Sequence, residues 1–177
     1  SNIPHILTGL NFHVREGLAA GFYRPVPVLI YLALFQLFGL STVAFHALNI
    51  GVHALNACLL HHFGARAGFK KGVPFAAALL WAVHPLATEA VTYMSSTHEM
   101  LWGTFCLAGL IVLLPDFSAR RMWMSMPFFL LALGCKEIAV VFPALAVAAL
   151  FFVSSERFHL STYLKTWPLW TVGIAYA

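Results

Sequence analysis

The sequence predicts an all-α polytopic integral membrane protein with about six or seven transmembrane helices. Of its 177 residues, 61% are hydrophobic and only 9% are charged, and the mean hydropathy is +0.85. A soluble domain carries charge on roughly a quarter of its residues. Long apolar runs follow one another along the chain, so the sequence predicts lipid as the solvent of most of its surface.

The positions of the basic residues and of the cysteines argue against a nucleic-acid-binding protein and against a disulfide or metal framework. The net charge is +4, but the basic residues lie in gaps between apolar runs and form no stripe. A positive-inside bias of membrane loops explains them better than a nucleic-acid partner does, and we expect no nucleic acid to bind. Cys58, Cys106 and Cys135 each lie in an apolar segment, so no disulfide framework, zinc site or other metal site is predicted.

Residues 1–23 are mixed in character and predict a polar or interfacial loop, which precedes a helical transmembrane domain over residues 24–177. The chain begins without an initiator Met and finishes inside an apolar run. We therefore expect the sequence to be a piece of a longer membrane protein.

Proline and glycine predict where the helices begin and end. The first apolar run, 25–40, begins with two prolines and is short for a full span. Ser41 is a predicted N-cap for a second helix that ends at Gly64. A third helix opens at Pro74 and breaks at His84, and a short half-helix continues from Thr88. The remaining predicted helices are 98–114, 120–134 and 138–153, with a seventh that begins near residue 167.

The orientation of the first run stays open at this point. Strict alternation of spans places Arg24 with the basic loops around 66–71 and 120–121, on the side that positive-inside bias makes cytoplasmic. The segment 84–99 and the pair Lys136-Glu137 then lie on the other side. If Arg24 belongs with that second group in one site, either the run 25–40 is not a normal full span or the basic loops are not all cytoplasmic.

Two constellations suggest a phosphate contact. Arg24, held between Tyr23 and Pro25 at a helix entrance, could present its planar fork to a lipid phosphate, or could be an interfacial arginine that snorkels. Lys136 could neutralise an anionic phosphate while Glu137 orients it, or the two could form a solvated turn.

Two further constellations combine imidazoles with other polar groups. His46, Asn49, His53 and Asn56 lie on one helical face, where they could hydrogen-bond to other helices or where the histidines could ligate a haem or chlorophyll. The segment from His84 and Glu89 to His98-Glu99 could do acid and base work or hold a cation, or could serve as structural caps around a helix break.

Taken in order, these motifs resemble the transmembrane, tetratricopeptide-repeat-linked O-mannosyltransferase-like proteins and their bacterial relatives, within the GT-C class of membrane glycosyltransferases. The residues that carry the resemblance are Tyr23-Arg24-Pro25, the His46/Asn49/His53 helix, the segment 82–91 around His84-Pro85 and Glu89, and the segment 136–143 that begins with Lys136-Glu137. The match covers most of the chain.

The resemblance implies an enzyme of the bacterial inner membrane or the endoplasmic reticulum membrane that transfers a sugar from a polyprenyl-phosphate donor. It makes Arg24 and Lys136 the lipid-phosphate contacts, with His84, Glu89 and Glu137 lining the site. The implied partners are membrane lipids and a lipid-linked sugar.

The sequence departs from the family pattern at two places. The catalytic acid, usually Asp, is expected upstream of Tyr23, where this chain has only Glu16, so no catalytic residue is assigned. Thr97 stands where the family usually has Arg. The alternative is therefore a non-catalytic subunit of a respiratory or photosynthetic membrane complex, with haem or bacteriochlorophyll on His46 or His53.

Overall fold

Helices form nearly all of the structure, a computed structural model that describes residues 24–114, 116–153 and 163–176. Within those ranges the regular elements are α-helices and short 3₁₀ turns, and there is no β-strand. The predicted all-α class is therefore confirmed for this part of the chain. The predicted loop 1–23 lies outside the described residues.

The described ranges contain eight α-helices: α1 (Pro25–Phe38), α2 (Thr42–Arg66), α3 (Val73–Ala82), α4 (Ala87–Thr92), α5 (Thr97–Leu113), α6 (Ala119–Leu133), α7 (Phe142–Val153) and α8 (Trp167–Tyr176). The 3₁₀ turns Met94–Ser96 and Glu137–Val141 precede α5 and α7. The predicted break at His84 is confirmed, and it separates α3 from α4.

Two helix limits differ from the prediction. Helix α2 continues through Gly64 to Arg66, because Gly64 serves as a close-packing position and not as a terminator. A Cβ at Gly64 would lie 3.0 Å from the side chain of Pro74. The predicted helix 138–153 is divided into a 3₁₀ turn and α7, and Pro143 occupies the first turn of α7, where proline is tolerated.

The predicted number of membrane spans is not confirmed. Among the described residues, two helical segments are long and apolar enough to cross a bilayer, Thr42–Arg66 and Met94–Leu113. The breaks after Ala82 and before Phe142 leave shorter apolar helices, and a span needs about 20 residues. Many large apolar side chains are nevertheless exposed on the surface, as expected where lipid is the solvent.

Three pairs of contacts fix the direction of the main helices. Helices α2 and α5 run parallel, because Asn49 contacts Thr97 and Asn56 contacts Thr104. Helix α3 runs antiparallel to α2, since His53 is close to Ala82 and Gly64 is close to Pro74. Helix α6 runs antiparallel to α5, since Lys136 contacts Glu99 and Arg121 contacts the carbonyl of Val112.

The bundle therefore has two distinct ends. We call the end that holds the start of α5 and the residues after α6 the mixed-charge end. We call the opposite end, which holds the end of α2 and the start of α6, the basic end. Helix α8 runs from the basic end to the mixed-charge end, because the hydroxyl of Tyr176 donates to the carbonyl of Leu133 at 3.2 Å.

The structure assigns Arg24 to the mixed-charge end. The backbone N–H of Val26 donates to the carbonyl of Gly134, just after α6, with an N···O distance of 3.1 Å. Helix α1 is only 14 residues long. It starts beside Gly134, and α2 follows it in the chain. Arg24 therefore shares one end of the bundle with Lys136-Glu137, and the helix that follows it is shorter than the roughly 20 residues of a full span.

The main core lies between α5, α6 and α7. Phe129 and Phe142 are fully buried and stack with ring centroids 5.1 Å apart. A Cβ at Gly109 would lie 2.8 Å from the ring of Phe142, so glycine is what lets α5 approach that ring. This close packing holds the ends of α5 and α6, and hence the charged groups attached to them, in a fixed relation.

Candidate functional site

Arg24 and Glu137 form a two-point ion pair at the mixed-charge end. Arg24 Nη2 lies 2.9 and 3.1 Å from the two carboxylate oxygens of Glu137, and Nε lies 3.4 Å from Oε2. The Arg24 side chain is 18% exposed and that of Glu137 is 52% exposed. The arginine fork is thus oriented by a carboxylate that comes from a distant part of the chain.

A second ion pair joins Lys136 to Glu99. Lys136 Nζ lies 2.5 and 2.6 Å from the two oxygens of Glu99. His98 Nε2 lies 3.3 Å from the same carboxylate, and its Nδ1 lies 2.9 Å from the carbonyl of Ser95. Glu99 lies in the first turn of α5, and Lys136 is the third residue after the end of α6, so the packing of these two helices makes the pair.

The adjacent positions of Lys136 and Glu137 connect the two pairs. Burial is the largest influence on the Glu137 carboxyl group and raises its pKa. Its own backbone N–H, the hydrogen bond and charge of Arg24, and the charge of Lys136 act in the opposite direction, and the net result is a lowered pKa. The mixed-charge end therefore holds two cations against two carboxylates, in contact with one imidazole.

A cleft of about 710 Å³ includes Glu99 of these pairs in its lining. Its wall is mostly apolar and includes residues of α5 down to Leu110, together with Leu86, Ala90 and Leu145. The lining also includes the polar or N–H-bearing side chains of His53, Asn56, Trp81, His84, Glu99 and Trp102. Glu99 lines the cleft and also pairs with Lys136, so the apolar cleft adjoins the ion pairs at this carboxylate.

The two histidines of the cleft have different hydrogen-bonding roles. His84 Nδ1 accepts the backbone N–H of Leu86 at 3.2 Å, so the neutral ring carries its proton on Nε2. His53 Nε2 lies 2.9 Å from the carbonyl of Ala82, and its ring stacks on Trp81 with centroids 4.7 Å apart. His53 therefore donates from Nε2 when it is neutral, and both rings are fixed in place.

The polar face of α2 is used for contacts between helices. Asn49 is fully buried, accepts the hydroxyl of Thr97 at 2.5 Å and donates to the carbonyl of Tyr93 at 2.9 Å. Asn56 accepts the hydroxyl of Thr104 at 2.7 Å and donates to the carbonyl of Met100 at 3.0 Å. The interhelical alternative for this face is thus confirmed for the two asparagines.

The pigment alternative finds no support in the described part of the chain. His53 contacts the carbonyl of Ala82 and the ring of Trp81, and His46 is half-buried on α2. The described residues also contain no cluster of three or more His, Cys, Asp or Glu side chains that could hold a metal ion.

The structure separates Glu89 from the other candidate residues. Glu89 is exposed in the first turn of α4, on the far side of the helix break from Trp81. Arg24, Lys136 and Glu137 come together, and His84 joins them through the cleft and Glu99. The sequence analysis did not identify Thr104 and Trp81 as functional residues. Thr97 and Thr104 are seven residues apart, as are Asn49 and Asn56, and this equal spacing could have predicted the two Asn–Thr contacts.

Comparison with known proteins supports a relation to a group of glycosyltransferases. Protein O-mannosyl-transferase TMTC1 of Homo sapiens is 38% identical over 93 residues, 52% of this chain and 10% of the relative. Protein O-mannosyl-transferase F38B6.6 of Caenorhabditis elegans is 32% identical over 93 residues, 51% of this chain and 14% of the relative. Protein O-mannosyl-transferase TMTC3 of Mus musculus is 34% identical over 121 residues, 65% of this chain and 13% of the relative.

These matches cover at most about a seventh of the relatives' own length. No family model and no solved structure matches the chain. Several relatives nevertheless carry the same name and match more than half of the chain. The comparisons therefore support the resemblance to the TMTC protein O-mannosyl-transferase-like family that the motifs of this chain predict, over the part of the chain that matches.

Proposed function

We propose that this chain is the part of a GT-C-type membrane mannosyltransferase that binds a polyprenyl-phosphate sugar donor. The observation that carries the proposal is the meeting of Arg24 and Lys136 at the mixed-charge end, beside an apolar cleft. In this proposal Arg24 and Lys136 contact the donor phosphate, while His84 and Glu137 line the site and Glu89, which the structure separates from them, has no role.

The two cations suit a phosphate in different ways. Arginine offers a planar fork of N–H groups that matches two phosphate oxygens, whereas lysine is a compact charge with three donors. Glu137 and Glu99 hold these groups in place before the donor arrives, which lowers the cost of ordering two long side chains on binding. An incoming phosphodiester would then share each cation with its carboxylate partner.

The cleft suits the other half of an amphiphilic donor. A polyprenyl-phosphate sugar joins an apolar chain to a charged head, and the lining of the cleft changes from apolar to charged at Glu99. Such a site keeps the tail away from water while the phosphate stays within reach of Lys136. With Nδ1 of His84 accepting the N–H of Leu86, its Nε2–H is a further donor that the head group could use.

The proposed reaction is a transfer of the mannosyl group to a hydroxyl. The acceptor oxygen forms a bond to the anomeric carbon, and the bond from that carbon to the phosphate oxygen breaks. Polyprenyl phosphate leaves with one more negative charge, which Arg24 and Lys136 stabilise. The proton of the hydroxyl passes to a carboxylate base, which the family resemblance expects upstream of Tyr23, outside the described residues.

The distribution of charge supports an orientation for an integral membrane protein. The basic end carries most of the lysines and arginines of the described residues, and positive-inside bias makes it cytoplasmic. The mixed-charge end then faces the periplasm or the lumen of the endoplasmic reticulum. The lipid-linked sugar would reach the cleft from the leaflet on that side.

A transfer assay with the full-length protein and a polyprenyl-phosphate mannose tests the proposal. We expect Arg24→Ala and Lys136→Ala each to lower kcat/KM by about 100-fold, because each removes a donor aimed at developing negative charge. Arg24→Lys should recover only part of the loss, since the charge remains but the fork does not.

Arg120→Ala is the matched control for this assay. Arg120 is an exposed arginine at the basic end, so its removal changes the net charge equally but leaves the site untouched. Full transfer by Arg24→Ala, or an equal loss in Arg120→Ala, would contradict the role given to Arg24.

A further inference from the structure

We propose that the basic end is a binding surface for anionic phospholipid headgroups. This surface does not belong to the cleft or the ion pairs, and the inference does not depend on transferase activity. It consists of the basic residues at the turns between helices on this end, namely Arg66, Lys70, Lys71, Arg120, Arg121 and Lys165. Among the described residues of this end there is a single carboxylate, Asp116, and Arg121 Nε lies 2.9 Å from it.

The parallel register of α2 and α5 brings two of these turns to the same height. Asn49 and Asn56 pair with Thr97 and Thr104, an offset of 48 positions in both cases. The same offset puts Arg66, the last residue of α2, level with Leu114 at the end of α5. Phe63 and Ala67 pack against the core cluster that includes Leu113, Leu114 and Phe117, so the two turns are neighbours.

The first of these turns has a defined backbone. Gly68 and Gly72 have φ values of 82° and 91°, a conformation in which glycine is free of strain. Backbone hydrogen bonds from Phe69 to Gly64 and from Val73 to Lys70 close the turn. Lys70 and Lys71 are therefore held as a fixed exposed pair at the end of the bundle.

Exposed aromatic side chains accompany the basic residues. Phe69 is 53% exposed, Trp123 is 59% exposed and Trp167 is 60% exposed. Phe69 lies between Arg66 and Lys70, Trp123 lies one turn from Arg120, and Trp167 begins α8 at the same end. Tryptophan next to lysine and arginine is the arrangement that anchors helices at the headgroup level of a bilayer.

The two observations together define the chemistry of the partner. The aromatic rings place the cations at the depth of lipid phosphates, where zwitterionic and anionic lipids both offer an acceptor. The headgroup of an anionic lipid carries a net negative charge, whereas that of phosphatidylcholine is neutral overall, so a cluster of cations with one paired carboxylate prefers the anionic lipid. We infer a preference for lipids such as phosphatidylglycerol or phosphatidylserine over phosphatidylcholine.

Competition between lipids tests this inference on the full-length protein in detergent. Phosphatidylglycerol and phosphatidylcholine are added together, and native mass spectrometry measures the ratio of the bound lipids. We expect the wild type to retain phosphatidylglycerol preferentially. Lys70→Gln/Lys71→Gln should lower that preference by about fivefold for each charge removed.

Two variants of the same turn and helix end serve as controls. Lys70→Arg/Lys71→Arg keeps both charges and should keep the preference. His62→Gln changes an exposed side chain of α2 outside the set of lysines and arginines and should have no effect. Equal retention of both lipids by the wild type would overturn the proposal. An unchanged preference in Lys70→Gln/Lys71→Gln would also overturn it, because the anionic lipid would then be held elsewhere, such as by Arg24 and Lys136.

Discussion

Arg24 depends on Glu137 for its position, although the two residues lie 113 positions apart. Arg24 sits at the entrance of a short helix whose first turn contacts the end of α6. The bidentate geometry restricts the guanidinium to one plane and one direction. An interfacial arginine that snorkels toward water would not need such a partner, so the pair favours a role for Arg24 inside the site.

We expect Glu137→Gln to affect activity more than stability. The pair is partly exposed, so its loss should cost at most about 1 kcal/mol of unfolding free energy. The Arg24 fork would lose its orientation, and kcat/KM for the polyprenyl-phosphate donor should fall by about 10- to 100-fold. Thermal denaturation in detergent and a transfer assay on the same preparation measure the two effects.

The pH dependence gives an independent check of the same pair. The pKa of Glu137 is lowered in the folded protein, so the stability from its ionised form is present above the usual Glu pKa. That stability is lost as the pH falls through the lowered value. The difference in melting temperature between the wild type and Glu137→Gln should therefore shrink below about pH 4. A constant difference down to lower pH would show that the ion pair is not its source.

At the scale of elements, two matching Asn–Thr pairs hold α2 against α5. Asn49 with Thr97 and Asn56 with Thr104 repeat the same contact seven residues further along both helices. All four side chains are at most 9% exposed. These two pairs, which we call the Asn–Thr ladder, fix where α5 begins relative to α2. Because Glu99 lies two residues after Thr97, the ladder also positions Glu99 beside Lys136.

A double-mutant cycle on Asn56 and Thr104 tests this ladder. Asn56→Leu alone should destabilise the protein by about 1 to 2 kcal/mol, because it leaves a buried hydroxyl with one partner fewer. Asn56→Leu/Thr104→Val should cost less than the sum of the single changes, with a coupling energy of about 1 kcal/mol. Unfolding in a graded detergent mixture measures the four free energies.

Cys58→Ser is the control for this cycle. Cys58 is exposed on α2, so its substitution changes the same helix without touching the interface with α5, and we expect a change below about 0.5 kcal/mol. Fully additive effects of Asn56→Leu and Thr104→Val would show that the hydrogen bond between them contributes nothing.

The sequence predicts the helices better than the contacts between them. Pro25, Pro74 and the His84-Pro85 break each restrict the backbone locally, so the limits of α1, α3 and α4 follow from nearby residues. The ion pair of Arg24 with Glu137 depends on how α1 folds back against α6, and no local pattern encodes that. The stripe on α2 predicted that its asparagines face another helix, but the identity of the partners became clear only from the register with α5.

At the scale of the whole molecule, charge is divided between two ends. The described part of the basic end has one carboxylate, whereas the mixed-charge end has Glu89, Glu99 and Glu137 with Arg24 and Lys136. In the proposed orientation the basic end lies in the cytoplasm, because positive-inside bias keeps loops rich in lysine and arginine there. The cleft then opens on the opposite side, where a lipid-linked donor and a secreted acceptor could meet.

Cysteine accessibility in membranes of known sidedness tests this orientation. In a Cys58→Ser background the remaining cysteines of the described residues, Cys106 and Cys135, are buried and should not react with a membrane-impermeant maleimide. Thr88→Cys, next to the helix break at the mixed-charge end, should react from the periplasmic or lumenal side. Lys70→Cys should react only after the membrane is permeabilised.

Labelling of both positions from one side would contradict the two-ended arrangement. The reverse pattern would place the cleft in the cytoplasm and exclude transfer to a secreted acceptor.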